Sequence, residues 1–220
     1  AVTSMPDLAF RNYKNITEVT IPKTIASMGI SCFNGCSGLE TVHYNTNLIS
    51  AHKASSQATF GDTSKLNNFY FGDEVTAIPT YLMISTGPLE NIYWNHVTTI
   101  GFSAFNGNPN MKELHLPEGI ETIGGLALTG CTAITEITIP STVSYYDSTP
   151  TKGCTNLRKV TWLTNKVTNT KVSSGAAFLS NRNITDVVFG PEVTRVPSNL
   201  FYYCPSPLNH IEWNNVTEIG

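Results

Sequence analysis

The residues with the clearest potential for chemistry are two glutamates, Glu113 and Glu136, at the same position in successive copies of a repeated motif. Two carboxylates about one strand spacing apart could act as the acid and the nucleophile of a retaining glycosidase. That chemistry needs one carboxyl group to be desolvated so that its pKa rises. The repeat instead places Lys159 beside Glu136 on an open surface. We therefore expect both glutamates to be solvated surface residues and the chain not to be an enzyme.

Cysteine is the second residue type with reactive potential. Cys36, Cys131 and Cys154 each come three residues before a motif-opening Leu or Ile, and Cys204 comes four before. A residue type fixed to one repeat position indicates a packing niche, which a thiol fills as a small apolar group. The alternative is a Cys32–Cys36 disulfide, which the odd cysteine count and the short turn disfavour. Neither a zinc-binding spacing nor a nucleotide, nucleophile-elbow or calcium motif occurs, so we expect no cofactor and no metal.

The elements that must position these side chains are copies of one repeat. Each copy opens on an apolar residue, followed by two residues, an apolar residue, one residue and another apolar residue. The nine openers, which define coils 1 to 9, are Ile16, Leu39, Leu66, Leu89, Met111, Ile134, Leu157, Ile184 and Leu208. This alternation predicts a strand in each coil, and nine strands in one parallel sheet.

Two further features recur in most copies. A second apolar pair followed by Gly or Pro, as in Val97–Gly101, predicts a second extended segment. A plug residue six positions before the next opener, such as Phe33 or Phe105, predicts a turn or helical corner. Such a unit cannot bury its apolar residues alone, so the coils must stack.

A longer period shows that a block of five coils is duplicated. Ile16 and Ile134 are 118 residues apart, and Trp94 and Trp213 are 119 apart. The two 27-residue coils also correspond, and we expect them to bulge at one edge. Residues 1–220 therefore form a single solenoid domain by sequence. Since neither end carries a polar capping unit, we expect it to be a segment of a longer array.

The repeat carries a family resemblance. The segments I-T-E-I-T-I-P-S-T-V, V-T-T-I-G-F-S-A-F-N-G-N and C-F-N-G-C-S-G-L resemble the BspA-type leucine-rich repeats of bacterial surface proteins. The resemblance implies a β-rich α/β fold, a right-handed solenoid of about nine coils of 22 to 27 residues with a parallel sheet on one face. It also implies cell-surface exposure, and adhesion or host-matrix binding in some relatives. One departure is Thr151, which replaces the usual apolar plug.

The composition limits the classes of partner that we expect the chain to bind. The 220 residues carry a net charge of −3 with only 13% charged residues, so neither nucleic acid nor an anionic membrane is expected as a partner. No apolar run is long enough to span a bilayer. We expect a cell-surface or extracellular location, with any leader or anchor outside this segment.

The candidate binding residues lie between the inward-facing apolar residues of the strands, and must point outward. One outward column contains four rings, and the column beside it contains two amides. The candidates are His43, Tyr70, Tyr93, His115, Asn68 and Asn91. Exposed rings suit sugar faces, peptides or proline-rich segments. The alternative is that they only stabilise the sheet as cross-strand pairs.

The three tryptophans, Trp94, Trp162 and Trp213, fall on the inward column and are expected in the core. The sequence as a whole indicates a non-catalytic interaction module that binds a host or matrix protein or a glycan through the exposed sheet face. Two alternatives stay open. The chain could be a structural spacer, or a substrate-docking array attached to another domain.

Overall fold

The protein folds as a parallel-strand solenoid of about nine coils. The computed structural model describes residues 1–52, 58–168, 177–178, 181–202, 204 and 207–220. Short strands lie on two faces, called front and back. The front strands are β2 (Glu18–Ile21), β4 (Thr41–Tyr44), β5 (Asn68–Phe71), β7 (Asn91–Tyr93), β10 (Glu136–Ile139), β12 (Lys159–Trp162), β13 (Asp186–Phe189) and β15 (His210–Glu212). The back strands are β1 (Ser4–Met5), β3 (Ser27–Met28), β6 (Ala77–Ile78), β8 (Thr99–Ile100), β9 (Thr122–Ile123), β11 (Tyr145–Tyr146), β14 (Arg195–Val196) and β16 (Glu218–Ile219).

The front strands form two parallel sheets instead of one. Strands β2-β4-β5-β7 form the first sheet and β10-β12-β13-β15 the second. The register joins equivalent repeat positions, for example Thr20 with His43 and His43 with Tyr70, which confirms the repeat alignment. The predicted nine-stranded sheet is wrong at coil 5, because the described residues 112–116 form no strand.

The back face is continuous where the front face is interrupted. Strands β6, β8, β9 and β11 pair in parallel across coils 3 to 6, so coil 5 remains bonded to both neighbours at its back. On this face, backbone N–H groups of coil 5 also donate hydrogen bonds to carbonyl groups of coil 4. Gly124 N, for example, donates to Ile100 O at 2.9 Å. Coil 5 is therefore held at its back while its front segment stands apart from both sheets.

The core consists of the inward strand residues and the plugs. Phe33 stacks on Phe10 at 5.3 Å and on Phe60 at 5.4 Å between ring centroids. Trp162 is fully buried, and Trp94 is half-buried and packed against the core. The expectation of a core position is wrong for Trp213, which is 41% exposed. This ring belongs to the last coil and is covered on one side by Phe189, 5.6 Å away.

The plugs lie in tight turns, and none of the described residues is helical. The turns bend sharply because residues two before and two after the plug have positive φ, as at Ser31 (52°) and Gly35 (72°) around Phe33. Glycine suits this left-handed conformation because it has no Cβ. Thr151 is buried at the plug position, where its hydroxyl lies 3.0 Å from Asn181 Oδ1. The predicted bulges of the long coils involve residues 53–57 and 169–176, outside the described residues.

The four repeat-position cysteines occupy the predicted niche, and all five cysteines, Cys32 included, are thiols. Each repeat-position thiol also donates a hydrogen bond to a carbonyl group of the preceding coil, as Cys36 does to Phe10 at 2.9 Å and Cys131 to Phe105 at 3.2 Å. Burial raises the pKa of the Cys154 thiol to about 12, so it remains protonated and unreactive. The cysteines are therefore structural turn residues.

Candidate functional site

Three of the four predicted rings form a stack on the exposed face of the first sheet. The His43 and Tyr70 ring centroids are 4.7 Å apart with planes 13° from parallel, and those of Tyr70 and Tyr93 are 4.1 Å apart at 4°. The parallel register places these residues directly opposite one another in β4, β5 and β7. Tyr93 is 45% exposed. We call these three rings the aromatic stack.

Hydrogen bonds fix the ends of the stack. His43 Nε2 lies 3.2 Å from Glu18 Oε1, so the imidazole is held from the coil 1 side. A hydrogen bond with Tyr93 is the main cause that raises the pKa of the Tyr70 phenol, with a smaller effect of desolvation. The same hydrogen bond links the two phenols within the stack.

The two predicted asparagines form a ladder beside the stack. Asn91 Nδ2 donates to Asn68 Oδ1 at 2.9 Å, and Asn68 Nδ2 is 3.5 Å from the Thr41 hydroxyl oxygen. Since each amide donates toward the lower-numbered coil, the carbonyl oxygen of Asn91, at the coil 5 end, accepts no hydrogen bond from the residues that the structure describes. The first sheet thus presents neutral hydrogen-bonding groups next to ring surface.

The fourth predicted ring, His115, does not join the stack. Its side chain is 88% exposed, and its Nε2 lies 3.0 Å from Glu113 Oε2 in the same coil. An open cleft of about 360 Å³ lies between coils 4 and 5, lined by residues that include Tyr93, Trp94, Glu113 and His115. The expectation that all four rings stand in one column on the sheet is therefore wrong for His115, because the first sheet ends at β7.

The interruption coincides with a shorter loop in coil 4. The back-face Val97 comes eight positions after Leu89, whereas Val75 comes nine positions after Leu66. Strand β7 accordingly ends one residue early. Asn95 follows with a positive φ of 46°, and its amide donates to the carbonyl group of Phe71. Coil 9 repeats this arrangement at Asn214 (φ 49°), so the early ending belongs to this coil type.

Glu113 and Glu136 lie on opposite sides of a second cleft of about 590 Å³, between coils 5 and 6. Glu113 contacts His115, and Glu136 Oε2 is 3.7 Å from Lys159 Nζ, as the repeat predicts. All four of these side chains are more than 40% exposed. Both carboxylates therefore lie on an open, solvated surface, as the repeat predicts.

The second sheet is a natural comparison for the aromatic stack. Its outward column, in the same register, contains Thr138, Thr161, Val188 and Glu212. Its strands nevertheless form a four-stranded parallel ladder of the same kind. The ladder therefore does not need stacked rings in order to form.

A buried polar cluster inside coil 2 was not expected from the sequence. His52 is 6% exposed, its Nε2 lies 3.1 Å from the Tyr44 hydroxyl, and its Nδ1 lies 2.8 Å from the Thr59 hydroxyl. Desolvation lowers the His52 pKa from 6.5 to about 4. The duplicated block has Trp162 and Ala177 at the positions of Tyr44 and Thr59, so only a comparison of the two blocks could have signalled this cluster.

Two kinds of feature are absent from the described part of the chain. No three His, Cys, Asp or Glu side chains gather closely enough to hold a metal ion. Nor does that part contain a helix long and apolar enough to cross a membrane.

Comparison with solved structures finds leucine-rich repeat proteins, one of which shows the same fold with a TM-score above 0.5. A leucine-rich repeat protein from Eubacterium ventriosum matches 92% of this chain and 59% of its own at 17% identity, with a TM-score of 0.55. One from Bacteroides ovatus matches 100% of this chain and 66% of its own at 20% identity, with a TM-score of 0.44. The T. pallidum leucine-rich repeat protein matches 93% and 73% at 14% identity, with a TM-score of 0.42. The chain thus spans about three fifths to two thirds of the first two proteins' lengths.

A search of the curated proteins gives no significant match. A family model described as "BspA type Leucine rich repeat region" matches residues 1–105 and 78–209 in six copies. These matches cover nearly the whole solenoid. The chain belongs to the BspA-type leucine-rich repeat family.

Proposed function

We propose that this solenoid is a non-catalytic interaction module that acts at the cell surface or outside the cell. It binds a protein or a glycan through the exposed face of its first sheet. The binding residues are the aromatic stack of His43, Tyr70 and Tyr93, with Asn68 and Asn91 beside it. His115 contributes from the far side of the cleft between coils 4 and 5.

The observation that carries this proposal is the difference between the two sheets. Both are four-stranded, parallel and built on equivalent repeat positions, but only the first carries rings on its outward column. Exposed aromatic side chains provide contact area at low entropic cost, and neighbouring amides orient a ligand. Since the second sheet forms without rings, binding accounts for the stack better than folding does.

The experiment is a glycan and matrix-protein array probed with three proteins. They are the wild type, the Tyr70→Ala/Tyr93→Ala double variant, and a matched Thr161→Ala/Val188→Ala variant of the second sheet. If either tyrosine is a hot spot, its removal should weaken binding by about 1–3 kcal/mol. The matched variant should bind as the wild type does. Equal binding of all hits by all three proteins would refute the proposed site.

A structural role is the second candidate, because the short ring-to-ring distance of 4.1 Å is also that of a stabilising cross-strand pair. A pair of this kind contributes about 0.2–1 kcal/mol. The double variant should therefore unfold only slightly more easily than the wild type in urea. A loss above roughly 2 kcal/mol without any loss of binding would favour the structural spacer.

A further inference from the structure

The aromatic stack ends at the cleft between coils 4 and 5, and we infer that this cleft receives an arginine side chain of a protein partner. The inference rests on the function proposed above and specifies the chemistry that the site recognises. Its residues are Tyr93 and Asn91 on the coil 4 side, and Glu113 and His115 on the coil 5 side.

Stacking leaves one usable ring face. Both faces of Tyr70 are covered, by His43 and by Tyr93. Among the described residues, Tyr70 is the only ring that stacks on Tyr93, and Tyr93 also lines the cleft. Glu113 holds the imidazole of His115 away from the stack. A ligand therefore meets one bare, electron-rich ring face, which attracts a cation.

The polar groups beside that face are hydrogen-bond acceptors. The Asn91 amide donates to Asn68, and its carbonyl oxygen accepts no hydrogen bond from the described residues. The Glu113 carboxylate accepts one bond, from His115, and has a second oxygen available. A guanidinium group carries five N–H donors and no acceptor, so it matches this set. A sugar hydroxyl would need donors as well as acceptors.

The charges near the cleft have the sign that an arginine requires. Glu90 and Glu113 line it, and no lysine or arginine is present among the described lining residues. Lys112 lines the second cleft, on the far side of coil 5. Arginine fits better than lysine, because a planar guanidinium can stack on a ring while it bonds a carboxylate.

The strand edge beside the ring suits a partner segment in extended form. Strand β7 pairs only with β5, so its other edge, which faces coil 5, carries unpaired backbone groups within the described chain. An extended peptide can bond to such an edge while one side chain enters the neighbouring pocket. The recognised element is therefore an arginine in an extended segment.

The test is an NMR titration of the ¹⁵N-labelled 220-residue protein. The probe is the peptide acetyl-Gly-Gly-Arg-Gly-Gly-amide. The comparison ligands are the same peptide with citrulline, the same peptide with lysine, and methyl β-glucoside. Citrulline keeps the planar shape of arginine but is uncharged. The arginine peptide should give saturable shifts at Asn91, Tyr93 and His115, and the citrulline peptide should bind at least roughly tenfold more weakly.

Two variants test whether the arginine peptide binds in this cleft, and a third variant is the control. Tyr93→Ala and Glu113→Gln should each reduce affinity for the arginine peptide roughly tenfold, since one removes the ring and the other the charge. Glu136→Gln removes a neighbouring carboxylate that lines only the second cleft, and should bind as the wild type does. The ¹⁵N spectrum of each variant reports directly whether it is folded.

Several results would overturn the inference. They are equal binding of the arginine and citrulline peptides, an unchanged affinity in Glu113→Gln, or no saturable shift at about 10 mM peptide. If array ligands depend on Tyr70 and Tyr93 but not on Glu113, or if the glucoside alone saturates these amides, only the arginine inference fails. If no array ligand depends on the two tyrosines, the proposed function itself fails.

Discussion

The buried histidine of coil 2 should make the stability of this protein depend on pH. His52 is enclosed between Tyr44 and Thr59, and desolvation lowers its pKa from 6.5 to about 4. Between these two values the unfolded chain binds a proton that the folded protein does not. The contribution of His52 is therefore complete above pH 6.5 and is lost as the pH falls through 4.

The size of the effect follows from the two pKa values. One pKa unit corresponds to about 1.4 kcal/mol, so lowering the pH from above 6.5 to 4 should cost about 3 kcal/mol of unfolding free energy through this one residue. That is a large part of the roughly 5–15 kcal/mol that stabilises a typical domain. Carboxylates also titrate in this range, so a variant must isolate the histidine.

The assay is urea unfolding followed by circular dichroism at pH 7.5 and pH 4, with His52→Gln as the test variant. Glutamine does not titrate, so the wild type should lose about 3 kcal/mol more than the variant between the two pH values. His96→Gln is the control, because His96 is exposed. Parallel pH dependence of the wild type and His52→Gln would refute the reasoning.

Three further predictions concern the turns. Gly38→Ala should destabilise the fold strongly, because the added Cβ would lie 2.0 Å from the Lys14 carbonyl oxygen. The Cβ of Gly119→Ala would meet no atom within 4 Å, so this variant should lose only about 1 kcal/mol of unfolding free energy, through its φ of 110°. Urea midpoints compare the two variants. Asn108→Ala should cost about 2–4 kcal/mol in the same assay, since it removes the hydrogen bonds of the buried Thr86 N–H and Met83 carbonyl groups. In native thiol titration Cys204 should react first and the four buried cysteines only on unfolding, so five fast thiols would contradict the burial.

The sequence predicts the frame of this fold well because the frame is set by a period. Each inward apolar residue pairs with its equivalent one coil away, so nine copies of one pattern determine the register without further information. The plugs follow from the same argument, and even Thr151 keeps its buried position. What a period predicts is the average coil.

The departures from the average coil were not predicted, because each depends on one residue or one deletion. A loop shorter by one residue after Tyr93 ends β7 early, and this ends the first sheet. The position of His115 then depends on its contact with Glu113 instead of on the repeat. The contact of His52 with Tyr44 depends on the path of a long loop, which has no counterpart in the shorter coils.

The duplication separates what the fold needs from what has been added to it. Inward strand positions are apolar or aromatic in both blocks, as Phe71 and Phe189 are, whereas the outward rings are not repeated, since Tyr70 corresponds to Val188. The rings are thus an addition to a frame that forms without them. In an unbroken column each ring would cover its neighbour, and no inner face would be open to a ligand. The break after β7 leaves one face of Tyr93 without a stacking ring among the described residues, so the proposed site depends on the interruption of the sheet.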